Sequence, residues 1–378
     1  MSGGIAQLVA VGAQDVHLVG NPEISFFRSQ YKRHTNFASF LDRQVVQGSQ
    51  GNNTMVSVRL ERKADLLGGL YLAAVSGNAS IYPGSIWEGI YDKVELLIGG
   101  QVIDTLYPAW NDFLWHDLMA QTPAQSQGII TPFVGNKAWN PLHFWFCENA
   151  QCALPLVALQ YHDVELRIYL ADEFSTALGA NGKLECYARY YSLDDAEREW
   201  FASKPHELLI TQSQMISPTG TSVLDLNFSH PVKFIAADAI ADYSGAVANM
   251  NDSAAGDAFN SKTTRIRLQI NGTDVNKGFF SNPHFTDASR YYCAPQGNTL
   301  KPGMANDTTR ALYQVITFLY PFCLDTSKYQ PTGTLNFSRL DNARFIADGD
   351  DGFDSQCFAC NYNILKVQNG MGGLMYAN

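Results

Sequence analysis

Alternating hydrophobic and polar residues run through most of the chain and predict short β-strands. The clearest case is residues 162–170, where the apolar side chains are Val164, Leu166, Ile168 and Leu170. A period of two sends successive side chains to opposite faces of a sheet, so such a strand has one buried face. Turn-forming residues separate these strand segments. Each half of the chain contains about eight predicted strands.

Two of the segments are interrupted by residue pairs that favour tight turns. Gly99-Gly100 divides the apolar run of residues 93–104, and Asn271-Gly272 divides residues 264–275. Both pairs tolerate the positive φ angles that a two-residue turn between antiparallel strands requires. We therefore predict a β-hairpin at each place.

The hairpins are also one sign of an internal duplication. They lie 172 residues apart, counted between their first turn residues, and CYARYYSL (186–193) matches CFACNYNI (357–364) at an offset of 171. Residues 56–63 and 223–230 share a strand pattern at an offset of 167. A repeat of this length indicates two copies of a whole domain rather than the short units of a solenoid.

Helical patterns are confined to two segments. Residues 108–121 (PAWNDFLWHDLMAQ) predict a helix inserted in a loop of the first copy. Residues 194–205 begin with two aspartates, which favour a helix N-terminus, and stop at a proline. Because the second helix falls where the first copy ends, it predicts a linker.

These patterns indicate an all-β fold class of two tandem eight-stranded jelly-roll β-sandwiches, with short helices in the loops and the linker. Each copy is long enough to bury a core of its own. The predicted boundaries are an N-terminal arm at 1–24, a first jelly roll at 25–193, a linker helix at 194–204 and a second jelly roll at 205–378.

Composition favours a protein whose surface is covered by partners. Charged residues make up 16% of the chain, against roughly 25% in an ordinary soluble domain, and aromatic residues reach 12%. The net charge of −10 opposes binding to nucleic acid.

We expect no secretory signal, because no basic residue precedes the first apolar positions. We expect no membrane span, because glycine and proline break the longest uncharged run. Seven cysteines without a secretory signal predict free thiols.

The chain matches no common catalytic motif, so we predict no enzyme activity, no cofactor and no metal site. Cys357 and Cys360 form a lone CxxC, which is a weak metal or redox signal. His162 and Asp163 point to opposite faces of a predicted strand, so His162 is interpreted as structural. The acidic segment 348–354 (DGDDGFD) could hold a hard cation, but its spacing does not match a calcium loop and favours a solvated loop.

Asn-X-Ser/Thr triplets supply candidate glycan acceptors. The candidates are Asn52, Asn78, Asn251, Asn271 and Asn306. In a chain without a secretory signal, such triplets mostly reflect turns that are rich in asparagine, serine and threonine.

One stretch near the N-terminus, residues 12–38, combines aromatic and basic side chains. Its candidate interface residues are Phe26, Phe27, Arg28, Tyr31, Lys32, Arg33 and His34. Three firm positive charges give only weak nucleic-acid binding at physiological salt. Aromatic residues beside arginine and lysine are typical of protein–protein contacts. We expect some of the rings to enter the first core and the basic edge to lie at an assembly surface.

Several long segments resemble the major capsid proteins of nucleocytoplasmic large DNA viruses. Residues 8–38 resemble the N-terminal signature of this family, and residues 361–378 resemble its C-terminal ending. Further matching blocks follow the family's order, at 154–170, 205–210, 227–236 and 333–343. The chain is identified on these segments as a member of this double jelly-roll family.

The resemblance implies a structural protein of the virion. It implies a homotrimer whose six barrels form a pseudo-hexameric capsomer, and capsomers that tile an icosahedral shell. Minor capsid proteins beneath the shell and a nearby internal membrane are the further partners implied, with no direct contact to nucleic acid and with assembly in the host cytoplasm. Residues 1–24 would form an arm at the inner base, and FFRSQYKRH would begin the first barrel.

Three alternatives stay open at this point. Loops at 236–262 and 347–357 are short for the family, which leaves room for a lower-abundance capsid paralogue. A carbohydrate-binding jelly-roll module would need exposed aromatic residues along a groove of one sheet. A glycoside hydrolase on this fold would need two carboxylates roughly 5–10 Å apart in one cleft, and no spacing in the sequence points to such a pair.

Overall fold

The computed structural model divides the chain into two units, residues 1–36 and residues 37–378. The first unit contains helices α1 (Gly3–Val9) and α2 (Val16–Val19), and nearly all of its residues are exposed. The described residues are 3–76, 86–127, 137–179, 181–239, 257–259, 264–281, 283–295, 300–302, 312–314, 316–349 and 351–376.

The first half of the second unit is built from two antiparallel sheets. Its strands are β1 (Phe37–Gln44), β2 (Val46–Gln47), β3 (Met55–Leu60), β4 (Leu66–Val75), β5 (Tyr91–Ile98), β6 (Gln101–Leu106), β7 (Lys137–Leu142), β8 (Leu154–Pro155), β9 (Val164–Leu170) and β10 (Lys183–Leu193). One sheet has the order β1-β10-β4-β7, with β8 also pairing with β4. The other sheet has the order β2-β3-β9-β5-β6.

The second half repeats this arrangement. Its strands are β11 (His206–Ile216), β12 (Val223–Asp225), β13 (Pro231–Ala239), β14 (Arg265–Ile270), β15 (Thr273–Asp274), β16 (Phe280–Ser281), β17 (Leu300–Pro302), β18 (Leu312–Gln314), β19 (Ile316–Pro321), β20 (Leu335–Asn336), β21 (Ala343–Asp348), β22 (Cys357–Gln368) and β23 (Met371–Leu374). One sheet has the order β11-β22-β13-β19, with β20 on β13 and β23 on β22. A second has the order β12-β21-β14-β15, with β16 on β14, and β17 pairs with β18.

The main strands of the two halves follow the same order in their sheets. β11, β22, β13 and β19 take the places of β1, β10, β4 and β7, and β12, β21, β14 and β15 take those of β3, β9, β5 and β6. The matching segments CYARYYSL and CFACNYNI lie on the equivalent strands β10 and β22. The internal duplication predicted from the sequence is therefore confirmed.

Short helices lie between the strands. They are α3 (Ile86–Ile90), α4 (Trp115–Leu118), α5 (Pro123–Gln127), α6 (Trp145–Glu148), α7 (Phe174–Leu178), α8 (Asp195–Ser203) and α9 (Ser289–Cys293), with π-helical turns at Ala109–Leu114 and His284–Ala288 and 3₁₀ turns at Ala150–Cys152 and Phe337–Arg339. Each π-helical turn runs directly into a short α-helix, α4 in the first half and α9 in the second. The duplication thus extends to these helices.

Both predicted helices are present. The segment 108–121 contains the first π-helical turn and α4, and the segment 194–205 contains α8. The Asp194 carboxylate accepts a hydrogen bond from the Asp195 N–H at the start of α8, which satisfies one of the free backbone donors there. Arg198 of α8 forms an ion pair with Asp65 at 2.9 Å. This pair holds α8 against the first half.

Both predicted hairpins are also confirmed. Gly99 and Gly100 have φ angles of 59° and 84°, and Asn271 and Gly272 have φ angles of 48° and 78°. Positive φ at both central residues gives a turn whose twist matches that of the flanking strands. The predicted strand at 162–170 corresponds to β9, where buried and half-buried residues alternate.

The start of the first barrel differs from the prediction. The first strand begins at Phe37, whereas the sequence analysis placed the beginning of the barrel at residue 25. Phe26 and Phe27 lie in a turn, and the whole stretch FFRSQYKRH belongs to the N-terminal unit.

The two halves share part of one hydrophobic core. The first core contains the buried side chains of β3, β5 and β9 and also residues of the second half, including Phe234, Phe358 and Leu365. A separate second core is built around Ile235, Phe318 and Phe345. Because the first core crosses from one half to the other, residues 37–378 form a single compact unit.

Candidate assembly interface

The aromatic side chains of the N-terminal unit are open to solvent. Phe26, Phe27 and Tyr31 are all exposed, and Phe27 is 97% exposed. The N-terminal unit does not bury these rings itself, and the expectation that some of them enter the first core stays a prediction. A large ring left in water is a common mark of a surface that a partner covers.

The basic residues of this stretch lie beside the rings. Arg28, Lys32 and Arg33 are exposed, and none of them forms an ion pair with another residue that the structure describes. His34 donates a hydrogen bond from Nδ1 to the Thr35 carbonyl oxygen at 2.7 Å. The arrangement offers both apolar area and positive charge to a partner surface.

A second interface lies within the chain, at the junction where the first barrel contacts the second. The Trp110 ring lies 6.0 Å from the Phe234 ring and 5.9 Å from the Phe358 ring, measured between centroids. Tyr107 also packs on Phe358, at 6.2 Å. These aromatic residues bring the π-helical turn of the first barrel onto the outer face of the second barrel's sheet.

Hydrogen bonds connect β6 of the first barrel to β11 of the second. The Gln212 side chain donates to the Ile103 carbonyl oxygen. The Ser213 N–H donates to Asp104 Oδ1 at 3.1 Å, and the Ser213 hydroxyl donates to the Thr105 carbonyl oxygen at 2.7 Å. Buried polar groups must find partners, so these bonds fix the register of the two strands.

A buried ion pair lies further along the junction. Asp117 on α4 and Arg290 on α9 approach to 3.7 Å, and both side chains are almost completely buried. Thr317 of β19 donates its hydroxyl hydrogen bond to Asp117 Oδ2 at 3.0 Å. Loss of either charged partner would leave the other charge buried alone, which is costly. The pair therefore holds the two barrels in one relative position.

Burial at the junction changes the protonation of Asp104. Desolvation raises the pKa of its carboxyl to about 8, and hydrogen bonds from the backbone N–H groups of Ser213 and Thr105 oppose that rise. An acid with a raised pKa keeps its proton in the folded chain at pH values where it would lose it in water. Asp104 is therefore a source of pH-dependent stability.

Sequence reasoning found the helix of the junction but missed its role. Every residue from Trp110 to Leu118 is buried, whereas the sequence analysis placed this helix in a loop. Five of the nine residues from Trp110 to Leu118 are large and apolar, and this density would have indicated a buried helix. The partner residue Arg290 has no comparable signal in the sequence.

The other candidate residues have structural positions. His162 Nδ1 lies 2.9 Å from the Gly372 carbonyl oxygen and so connects the first barrel to the second. Cys357 belongs to the second core and Cys360 to the first, so the two thiols of the CxxC lie on opposite faces of β22. All seven cysteines are free, as predicted, and burial raises the pKa of the Cys360 thiol to about 12.

The acidic segment 348–354 is tied to its neighbours by hydrogen bonds. Asp348 forms an ion pair with Arg265, and Asp351 accepts a hydrogen bond from the Thr264 hydroxyl at 2.9 Å. Asp350 lies outside the described residues. Within the described ranges, no group of three or more histidine, cysteine, aspartate or glutamate residues is arranged to hold a metal ion.

Two of the candidate glycan acceptors can be located. Asn52 is exposed, and its side-chain oxygen accepts a hydrogen bond from the Ser175 N–H at 2.8 Å. Asn271 is also exposed, and its side-chain oxygen accepts from two backbone N–H groups at 3.1 Å each. Asn78, Asn251 and Asn306 lie outside the described residues.

Among the residues that were described, no helix is both long and apolar enough to span a membrane.

Comparison with known proteins gives consistent matches. A family model described as the N-terminus of major capsid proteins matches residues 25–199. The chain is 34% identical to the major capsid protein of Pyramimonas orientalis virus and 32% identical to that of Paramecium bursaria Chlorella virus 1. Both alignments cover the whole of both chains.

Solved structures show the same fold. The crystal structure of PBCV-1 VP54, fitted into a reconstruction of the virophage Sputnik, has a TM-score of 0.75 at 28% identity. This comparison covers 94% of the chain and 100% of VP54. The Faustovirus major capsid protein has a TM-score of 0.64 at 10% identity over 95% of the chain, which supports the fold alone.

The duplicated sandwiches and these likenesses define a viral capsid protein of the double jelly-roll class. The chain belongs to the family of major capsid proteins of nucleocytoplasmic large DNA viruses. It is a structural protein of the virion and not an enzyme. The carbohydrate-binding and glycosidase alternatives are set aside, because the curated matches run over the full length of the chain.

Replacing Trp110 with alanine should destabilise both barrels together. Truncation of a buried tryptophan costs about 3–5 kcal/mol of unfolding free energy. Because Trp110 contacts both halves, we expect one urea transition, followed by near-ultraviolet circular dichroism, at a lower midpoint. Trp200→Ala, at an exposed tryptophan, is the control and should cost less than about 1 kcal/mol. Equal losses in the two variants would contradict the importance of the junction.

Replacing Asp104 with asparagine should flatten the pH dependence of stability. The folded pKa of about 8 lies above the ordinary value of 3.8, so the folded chain binds the proton more tightly than the unfolded chain does. This stabilisation is full at low pH and is lost as pH rises towards 8. We expect the urea midpoint of the wild type to fall over that range more steeply than that of Asp104→Asn. Asp163→Asn, at an exposed position, should keep the wild-type slope.

Proposed function

We propose that three copies of this chain form a homotrimer whose six barrels make a pseudo-hexameric capsomer. The observation that supports this best is the duplicated strand order, joined by a buried junction into one unit. A chain of two similar barrels can form a nearly six-fold ring from only three copies, by one repeated head-to-tail contact. Capsomers of this outline tile an icosahedral shell.

We propose a division of the chain for this role. Residues 1–36 are the arm, residues 37–193 and 205–378 are the two jelly rolls, and α8 connects them. The arm contacts neighbouring capsomers or minor capsid proteins beneath the shell, near the internal membrane. Assembly takes place in the host cytoplasm, as the family resemblance implies.

The mass of the purified protein in solution tests the capsomer. We expect light scattering to give three times the 41.8 kDa mass of the chain, and images of the same peak to show a hexagonal outline. A folded monomer would contradict the proposed capsomer. The number of copies of this chain in purified virions separates two alternatives. The main shell protein would account for most of the shell, whereas a lower-abundance capsid paralogue would be a small fraction of it.

Reversing the charges of Arg28, Lys32 and Arg33 to glutamate should impair shell assembly while leaving the trimer intact. These side chains belong to the arm and lie outside the barrels, so trimer mass and unfolding midpoint should not change. The yield of closed particles, counted by electron microscopy in cells that express the variant with the other viral proteins, should fall.

The matched control reverses three exposed basic residues of the barrels, Lys183, Lys328 and Arg339. This control variant has the same net charge as the arm variant. An equal loss of particles in both variants would attribute the effect to net charge rather than to the arm, and an undiminished yield in the arm variant would contradict its role.

A further inference from the structure

We propose that the exposed edge of the first barrel, formed by β1, binds the turn after β15 and the helix α9 of a second copy of this chain. This inference rests on the proposed trimer and assigns its contact surfaces. Among the described strands, β1 pairs with β10 alone, so it is an edge strand of its sheet. Natural proteins cover such edges, and here the cover comes from another chain.

The junction inside the chain is the template for this contact. There β6, the π-helical turn and α4 of the first barrel cover β11 and the sheet of the second barrel. By the duplication, β1 takes the place of β11, and β15, the second π-helical turn and α9 take the places of β6, the first turn and α4. The template therefore predicts which residues should meet between chains.

The register of the paired strands identifies the receiving residues. Cys186 and Cys357 occupy the same place in the matching segments, and they lie opposite Gln44 of β1 and Ile216 of β11. Four residues before these positions, Phe40 of β1 corresponds to Gln212 of β11, and Leu41 therefore corresponds to Ser213. Gln212 and Ser213 are the residues that bind the covering strand in the junction. Leu41 is 48% exposed, although its equivalent is engaged in the junction.

The covering residues follow from the two hairpins in the same way. Ile103 is the fourth residue after Gly99, and Val275 is the fourth after Asn271, so the two are equivalent. Ile103 is 1% exposed because the second barrel lies against it, whereas Val275 is 51% exposed. The same residue position is thus covered in one copy and open in the other.

The helix that follows shows the same difference. All four residues of α4 are buried in the junction. On the equivalent helix α9, Tyr291 is 82% exposed and Tyr292 is similarly open, while Arg290 is committed to the junction. Two adjacent exposed tyrosines offer a large rigid contact area, which is typical of residues that dominate interfaces.

Charge also favours this pairing. Arg189 lies opposite Leu41 across the β1–β10 pair and is exposed. Asp287, in the π-helical turn before α9, is exposed as well. The receiving face thus presents a positive group and the covering element a negative one. Each chain presents both the β1 edge and the α9 element, so head-to-tail pairing of these two surfaces can form a closed ring.

Two variants separate the two sides of the contact. Leu41→Glu places a charge on the receiving edge, and the double variant Val275→Glu/Tyr291→Glu places charges on the covering element. All three side chains are exposed in the single chain, so each variant should keep the near-ultraviolet circular dichroism spectrum of folded barrels, with an apparent unfolding midpoint lowered only by the loss of subunit binding. We expect light scattering to show the wild type as a trimer and each variant at the mass of one chain, because a charge cannot be buried unpaired in the contact. The control Tyr161→Glu, at an exposed tyrosine outside both surfaces, should remain a trimer.

Mixing the two variants gives the decisive result. The Leu41→Glu chain keeps an intact covering element, and the double variant keeps an intact receiving edge. We therefore expect the mixture to form a complex of two chains that cannot close into a ring. A mixture that stays at the mass of one chain would overturn the assigned pairing.

The remaining outcomes separate this inference from the capsomer itself. A trimeric wild type with variants that also remain trimeric would overturn the assigned surfaces and leave the proposed trimer standing. A wild type that is monomeric would overturn the trimer and this contact together.

Discussion

The insertion of one barrel's helical turn into the outer face of the other barrel is the contact on which the rest of the molecule depends. Trp110 supplies the apolar part of this contact, and the buried pair of Asp117 and Arg290 supplies the polar part. A buried ion pair stabilises less than its close charges suggest, because both groups lose their water. Its main effect is on geometry, since any rotation of one barrel against the other would separate two buried opposite charges. In the proposed shell, curvature must therefore arise between chains rather than within them.

The same contact explains why two copies of one domain have diverged. A duplicated gene begins with two identical barrels, and each covering element then meets a different partner. Ile103 is buried within the chain, while its equivalent Val275 is exposed. The helix after the first turn can use a charged residue at Asp117 because a fixed partner is always present in the same chain. The equivalent helix displays tyrosines, which tolerate both water before assembly and burial after it.

Local patterns in the sequence were enough to predict most of the fold. The alternation at 162–170 and the pairs Gly99-Gly100 and Asn271-Gly272 each set a backbone conformation within a few residues, and all three appear as expected. The first strand begins at Phe37 and not near residue 25, because apolar composition alone does not mark the residue at which a strand begins. The junction could not be predicted, since the link between Asp117 and Arg290 depends on how two distant segments meet. Residues that meet only in the folded chain have no fixed spacing in the sequence.

The distribution of charge supports the role proposed for the arm. Residues 1–36 contain two acidic and three basic residues, a net charge of +1, so the rest of the chain accounts for −11 of the total of −10. Barrels of like charge repel one another as they pack into a shell, and salt screens that repulsion only over distances beyond about 8–10 Å. Within that range, contact between barrels needs either matched apolar surfaces or a group of opposite sign. In the proposed capsomer, the exposed rings and cations of the arm supply both. Contacts between barrels and contacts of the arm are then separate interactions, so a change in one should leave the other intact.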